Sequence, residues 1–325
     1  ENHLKPYAVK SINSKGRIYN EQEHSIRSPY QRDRDRIIHS SSFRRLKHKT
    51  QVFVNTEGDH YRTRLTHSME VSQISRTLAR TLGLNEDLCE TLSLSHDLGH
   101  TPFGHAGEEI LDQCMKRYGG FDHNIQTLRI VTLLENKYYN FFGLNLTIET
   151  LDGLIKHNGP VKNLNFYNTI LKKDLFKNKI VFHAFPSLEA QIAAISDDIA
   201  YNNHDLEDGL RAGLFTIEKL NSISFVSKFI NKHVRNKKSF RREIIINQIV
   251  RELINIMVVD VINTTNRNLK KYNPQSIKDI YKQDHLIVDF SDKMKIVHMQ
   301  IKYFLRHYMY NHKKVIINTN RGKRI

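Results

Sequence analysis

Apolar residues recur along this chain at helical rather than strand spacing. Leu65, Met69, Ile74, Leu78 and Leu82 follow one another at four- and five-residue steps, and Gly83 fits a helix stop. Asn85 reads as the cap of a second segment carrying Leu88, Leu92 and Leu94. Pro186-Ser187 opens a third, with Leu188, Ile192, Ile195 and Ile199 as its apolar stripe. A long amphipathic stretch runs from Phe240 to about Leu269 through Ile244, Ile249, Leu253, Ile256 and Val261. Alternation with period two is scarce. The pattern predicts a mostly α protein.

Breaks in the pattern are few. Asn158-Gly159-Pro160 begins an irregular polar stretch to about Val181, and Asn273-Pro274 ends the long helix. No internal repeat or low-complexity segment stands out. We expect a core over residues 1–215 and a C-terminal helical extension over 216–325 packed upon it.

The chain has 325 residues, 39% hydrophobic and 26% charged, enough to bury a sizeable core. It contains no apolar run of membrane-spanning length, so no membrane span is expected. The first residues, Glu1 to Pro6, lack the apolar stretch of a secretory signal; without an initiator Met, further residues are expected upstream. The basic run from Arg321 ends abruptly, as a shortened chain would. Cys89 and Cys114 lie on apolar-patterned segments, and two isolated thiols point to a reducing, cytoplasmic setting. The count also excludes a cysteine-type zinc cluster. Fifty Lys and Arg against 34 Asp and Glu give a net charge of +16, which favours polyanionic partners or simply a solvated basic surface.

The chemistry concentrates in the run Ser95-His96-Asp97-Leu98-Gly99-His100-Thr101-Pro102-Phe103-Gly104-His105, followed by Glu108. An adjacent His-Asp pair offers a borderline nitrogen and a hard oxygen from neighbouring positions. His67 precedes it inside Arg64-Leu65-Thr66-His67, and Asp197 follows it inside Asp197-Asp198-Ile199-Ala200-Tyr201. Each lies among apolar helix positions, where an unpaired carboxylate is costly to bury. Two His and two Asp suit Mn²⁺, Fe²⁺, Mg²⁺, Co²⁺ or Zn²⁺ with positions left for water and substrate. Asp197, Tyr201 and Asp205 are spaced i, i+4, i+8 and share one helical face. They form either a track for a polar ligand or an ordinary surface face.

The ordered set His67, His96-Asp97 and Asp197 resembles the HD-domain phosphohydrolase superfamily. Narrower motifs resemble the bacterial dGTPase-like deoxynucleotide triphosphohydrolases. They are Ser42-Phe43-Arg44-Arg45-Leu46, Gln51-Val52-Phe53, Arg64-Leu65-Thr66-His67, the His96 to His105 run, Phe121-Asp122-His123-Asn124-Ile125-Gln126 and Asp197 to Tyr201. The likeness runs from about Ile26 to Asp208, with weaker helical similarity to about Val315. It implies an HD-domain helical fold in the first part of the chain.

The resemblance also implies roles. His67, His96, Asp97 and Asp197 would hold a divalent metal, Mn²⁺ or Mg²⁺ foremost, with Asp198 supporting them. His123 paired with Glu108 would serve the attack of water beside the α-phosphate, and His105 would contact phosphate or protonate the leaving oxygen. Arg64 would bind the phosphate chain. Gln51 and Asp205 would read the 3′-hydroxyl, and Tyr201 would crowd a 2′-hydroxyl. His100 would join the substrate contacts or bond a neighbouring carbonyl. The reaction implied is hydrolysis of a dNTP to deoxynucleoside and inorganic triphosphate. A second dNTP as effector and a homo-oligomeric state are also implied.

The chain has no Gly-Lys-Ser/Thr phosphate loop, so side chains must hold the triphosphate. Related eukaryotic enzymes carry a Lys after the ligating Asp, where this chain has Asp198. Lys156-His157-Asn158-Gly159 reads as a turn rather than a base-reading loop. Lys232, Arg235, Lys237, Lys238, Arg241 and Arg242 form a basic cluster, either solvated or a patch for single-stranded nucleic acid. Other HD-type nucleotide hydrolases, and a nucleic-acid-binding protein with a degenerate site, are the competing readings.

Overall fold

The computed structural model describes residues 1–51, 61–164, 167, 179–235 and 241–324. In chain order the helices are α1 (Pro29–Ile38), α2 (Ser41–Arg45), α3 (Arg64–Leu82), α4 (Glu86–Ser95) and α5 (Gly104–Met115). Next come α6 (His123–Arg129), α7 (Ile148–Ile155), α8 (Leu188–Arg211) and α9 (Ser224–Arg235). The last are α10 (Arg242–Tyr272), α11 (Ile277–Tyr281), α12 (Asp292–Leu305) and α13 (Lys313–Arg324). Among the described residues, extended pairing is limited to isolated bridges such as Thr50 with Thr63. The mostly α expectation holds.

Local chemistry sets the helix ends. Thr63 and Thr66 form a reciprocal capping box before α3, and Gly83 closes it at φ 69° in the left-handed region. Asn85 accepts from the Leu88 N–H to cap α4, and Ser187 accepts from Ala190 to cap α8. Asn273, at φ 44°, ends α10 just before Pro274. All four segments foreseen from periodicity are helices. Two details differ: Met69 is 57% exposed and Ile244 43% exposed, so the apolar stripes of α3 and α10 run past the core. Cys89 is buried in the core but Cys114 is exposed.

Two apolar clusters lie on either side of α4 and α8. One gathers α1, the inner face of α4, α7 and Leu98. The other runs from Leu4 through α3 and α8 to Val315, so residues beyond 216 share a core with those before it. Leu98 is fully buried; burying a leucine stabilises by about 1.5–3 kcal/mol and so pins the turn after His96-Asp97. Two polar side chains at the start of the central helix α8 are matched to backbone. Glu189 accepts from the Val9 and Asn85 N–H groups, and Gln191 Oε1 accepts from Ile287 and Val288. Arg62 ties the entry of α3 to the end of α8 through Glu207 at 2.7 Å and Asp208 at 2.9 Å. No described helix is long and apolar enough to cross a membrane.

Candidate active site

Five segments converge on one region. The first turns of α3 present Arg64 and His67. The turn that leaves α4 presents His96, Asp97 and His100. Helix α5 adds His105 and Glu108, α6 begins at His123, and α8 carries Asp197, Tyr201 and Asp205. Gly99 lets the α4 turn approach α6. A Cβ there would lie 2.1 Å from the His123 carbonyl oxygen and 2.3 Å from the Thr127 nitrogen, closer than any side chain tolerates.

His67, His96 and Asp197 place one ligating atom each within 4.8 Å of one another. His67 Nε2 is 2.8 Å from Asp197 Oδ1, and His96 Nε2 is 3.6 Å from both Asp197 Oδ1 and Asp97 Oδ1. His96 Nδ1 lies 2.7 Å from the Ser93 carbonyl oxygen, which can only accept. The proton is therefore on Nδ1, and the Nε2 lone pair faces the carboxylates. That Nε2 is buried and has no hydrogen-bond partner. A buried, unpartnered imidazole nitrogen facing two carboxylates is the donor set of a divalent ion, and the residues fit one. Asp97 stands slightly apart: its second oxygen accepts from Arg64 Nη1 at 2.7 Å. Burial opposes its charge, but Arg64 and the surrounding imidazoles hold Asp97 well below the usual carboxylate range. Burial, helped by the neighbouring His157 and His67, pushes His96 down against the opposing pull of Asp97 and Asp197.

A second cluster gathers His100, Glu108 and His123. Glu108 Oε1 is 2.7 Å from His123 Nδ1 and also accepts the His123 backbone N–H at 3.0 Å. Its other oxygen is 3.1 Å from His105 Nδ1. The carboxylate thus fixes the proton on His123 Nδ1 and leaves Nε2 as the basic edge. Burial pulls His123 down, but the Glu108 bond and charge win and raise it above the ordinary histidine value. His100 is buried and stacks on His123 with centroids 4.5 Å apart at 22°. Burial and the Arg64 charge keep His100 neutral. The His105 side chain is 69% exposed, so of the three imidazoles it faces solvent most.

The face of α8 is not a surface face. Asp205 is fully buried, and Tyr201 is shielded beside His67, with ring centroids 6.4 Å apart. Asp205 Oδ2 accepts from the Tyr310 hydroxyl at 2.5 Å, while Oδ1 has no partner. Gln51 is also buried with an unpartnered Oε1. Asp198 turns the other way, to Lys302 Nζ at 2.7 Å. Of the two adjacent aspartates, Asp197 is the one that meets His67 and His96.

The HD domain model matches residues 64–202. A deoxyguanosinetriphosphate triphosphohydrolase-like protein of Pelagibacter ubique is 58% identical over 312 residues, which is 96% of this chain and 84% of the relative. Proteins of the same description from Bartonella henselae and Brucella anthropi are 50% and 48% identical, each over 98% of this chain and 81% of theirs. The chain belongs to the deoxyguanosinetriphosphate triphosphohydrolase-like family. The HD-domain helical fold and the family likeness seen in the motifs are both borne out.

Within this family member, three features escaped the motifs. His157, in the segment read as a turn, ends 3.6 Å from Asp197 Oδ2 and stacks on His96 at 5.3 Å. Tyr310 and Lys302 come from a region in which the sequence shows no catalytic cluster. An isolated Tyr or Lys carries no spacing signal; only the docking of α12 and its continuation onto α8 brings them in. Val52 and Phe53 of the Gln51 motif lie outside the described residues, as do the side chains of Lys232, Arg235, Lys237 and Lys238. Arg242, from the same basic cluster, donates to the Leu210 carbonyl at 3.0 Å.

Proposed function

We propose that this protein hydrolyses a deoxynucleoside triphosphate, dGTP or a close analogue, to deoxynucleoside and inorganic triphosphate. The observation that carries the reading is the presence of two His-carboxylate clusters on neighbouring segments, with Arg64 bonded to Asp97. One cluster leaves a buried imidazole nitrogen free beside two carboxylates, and the other is a hydrogen-bonded Glu108–His123 pair. The names of the relatives point the same way.

His67, His96, Asp97 and Asp197 hold the divalent ion, Mn²⁺ or Mg²⁺ foremost, with Fe²⁺, Co²⁺ and Zn²⁺ suited to the same donors. Such an ion polarises a phosphoryl oxygen and makes water a stronger acid. Glu108 keeps His123 in the tautomer whose Nε2 takes a proton from the attacking water. His105, more exposed, serves the phosphate or the departing 5′-oxygen. Arg64 and His100 line the phosphate path, where a guanidinium fork suits phosphate oxygens. At the far end, the unpartnered oxygens of Gln51 and Asp205 accept from the sugar hydroxyl, and Tyr201 closes over the ring. Two unpaired thiols fit a reducing compartment such as the cytoplasm.

The test is chromatography of products from all four dNTPs, singly and mixed, with Mn²⁺. Inorganic triphosphate with deoxynucleoside is expected. Turnover of nucleoside monophosphates alone, or release of pyrophosphate only, would refute the reading.

A further inference from the structure

We propose that His100, Glu108 and His123 form a second divalent-ion site, of zinc type, whose occupation disables the proton-handling pair. The effect on turnover rests on the function proposed above; the binding itself does not.

The geometry is already that of a metal site. One ring nitrogen of each histidine and one Glu108 oxygen all lie within 4.8 Å of one another. The parallel stack of His100 on His123 sets the two imidazoles side by side. His100 is 3% exposed, and its Nδ1 is buried without a hydrogen-bond partner. A buried imidazole nitrogen with nothing to bond is an open coordination position. Two imidazoles and one carboxylate form a set that binds Zn²⁺ in open, catalytic-type sites, with a fourth position left for water. The site is held in shape from outside. Glu108 is oriented by His105 at 3.1 Å and by the His123 backbone N–H at 3.0 Å, and Gly99 fixes how closely His100 approaches α6.

The two clusters differ in what they prefer. The first has two carboxylates and suits hard ions such as Mn²⁺. The second has one, and neutral nitrogen donors favour Zn²⁺ over Mn²⁺ in the usual affinity order. Activating Mn²⁺ therefore leaves the second site free, whereas Zn²⁺ fills both. When Zn²⁺ binds there, Glu108 and His123 become ligands, any proton on His123 that blocks ligation passes to solvent, and no base remains for the attacking water. Zinc then acts as a brake on an enzyme that Mn²⁺ activates.

The experiment counts ions on the full chain. Protein stripped with chelator is loaded with Zn²⁺ or Mn²⁺, desalted and assayed by mass spectrometry for metal per chain. With Zn²⁺, two equivalents are expected for the wild type, one for Glu108→Gln and one for His96→Ala. With Mn²⁺, the wild type and Glu108→Gln both retain one. A wild type that retains one Zn²⁺, or a Glu108→Gln protein that retains two, overturns the proposal. If His96→Ala does not fold, wild type against Glu108→Gln still decides. Absence of dNTP turnover in the Mn²⁺ form refutes the proposed function and leaves the zinc count standing.

Discussion

The hydroxyl of Tyr310 donates to Asp205 Oδ2 at 2.5 Å, so a residue beyond α12 reaches the face of α8 that carries Asp197 and the buried Asp205. Asp205 keeps its other oxygen unpartnered. Tyr310→Phe removes the donor that orients this carboxylate, and losing a buried hydrogen bond costs about 1–2 kcal/mol. We expect KM for the deoxynucleotide to rise about tenfold, in line with that cost, while metal content stays normal. An unchanged KM would show that Asp205 does not meet the sugar.

Burial pushes Asp205 up to about 7, against the Tyr310 bond, which pulls it down. The unfolded chain releases that proton near ~3.9, so between the two values the native state binds more protons. This share of stability is therefore full at low pH and lost as pH rises toward about 7. Asp205→Asn, which does not titrate, should flatten the decline of urea-unfolding stability over that window. An identical slope in both proteins would contradict the assignment.

Glu108→Gln keeps the shape of the second cluster but removes its charge. A positioned acid/base group contributes about 10²–10⁴-fold to rate, so kcat should fall within that range. Because Glu108 holds His123 above its ordinary value, the acidic limb of the pH-rate profile should move to lower pH in the variant. Bound Mn²⁺ should not change.

How much of this was legible beforehand follows from where each signal lives. Gly83, Asn85 and Ser187 mark helix ends through local backbone chemistry, so α3, α4 and α8 could be placed from the chain alone. His67, His96, Asp97 and Asp197 stood out because hydrophobic neighbours made their polarity costly. Tyr201 and Asp205 could be read as a track or a surface face. Their burial depends on α12 and the residues after it, a contact about a hundred residues away. His157 was hidden for a related reason: its turn carries ordinary loop residues, and only tertiary packing stacks it on His96.

Arg17 and Asp33 form a buried pair that holds the N-terminal segment to α1 and α7. Asp33 accepts from Arg17, from the Thr147 N–H and hydroxyl and from the Thr150 hydroxyl, all within 2.8 Å. Asp33→Ala leaves the buried Arg17 guanidinium with only the half-exposed Glu23 and two backbone carbonyls, and breaking such a buried pair costs about 3–5 kcal/mol. Chemical denaturation should show that loss, with specific activity unchanged in the protein that remains folded.

The most direct test of the central claim is hydrolysis of dGTP by the Mn²⁺-loaded protein in ¹⁸O-labelled water. Attack at the α-phosphorus, with Glu108–His123 taking the proton, puts the label into inorganic triphosphate and leaves the deoxynucleoside unlabelled. Label in the deoxynucleoside, or products of pyrophosphate and monophosphate, would contradict it.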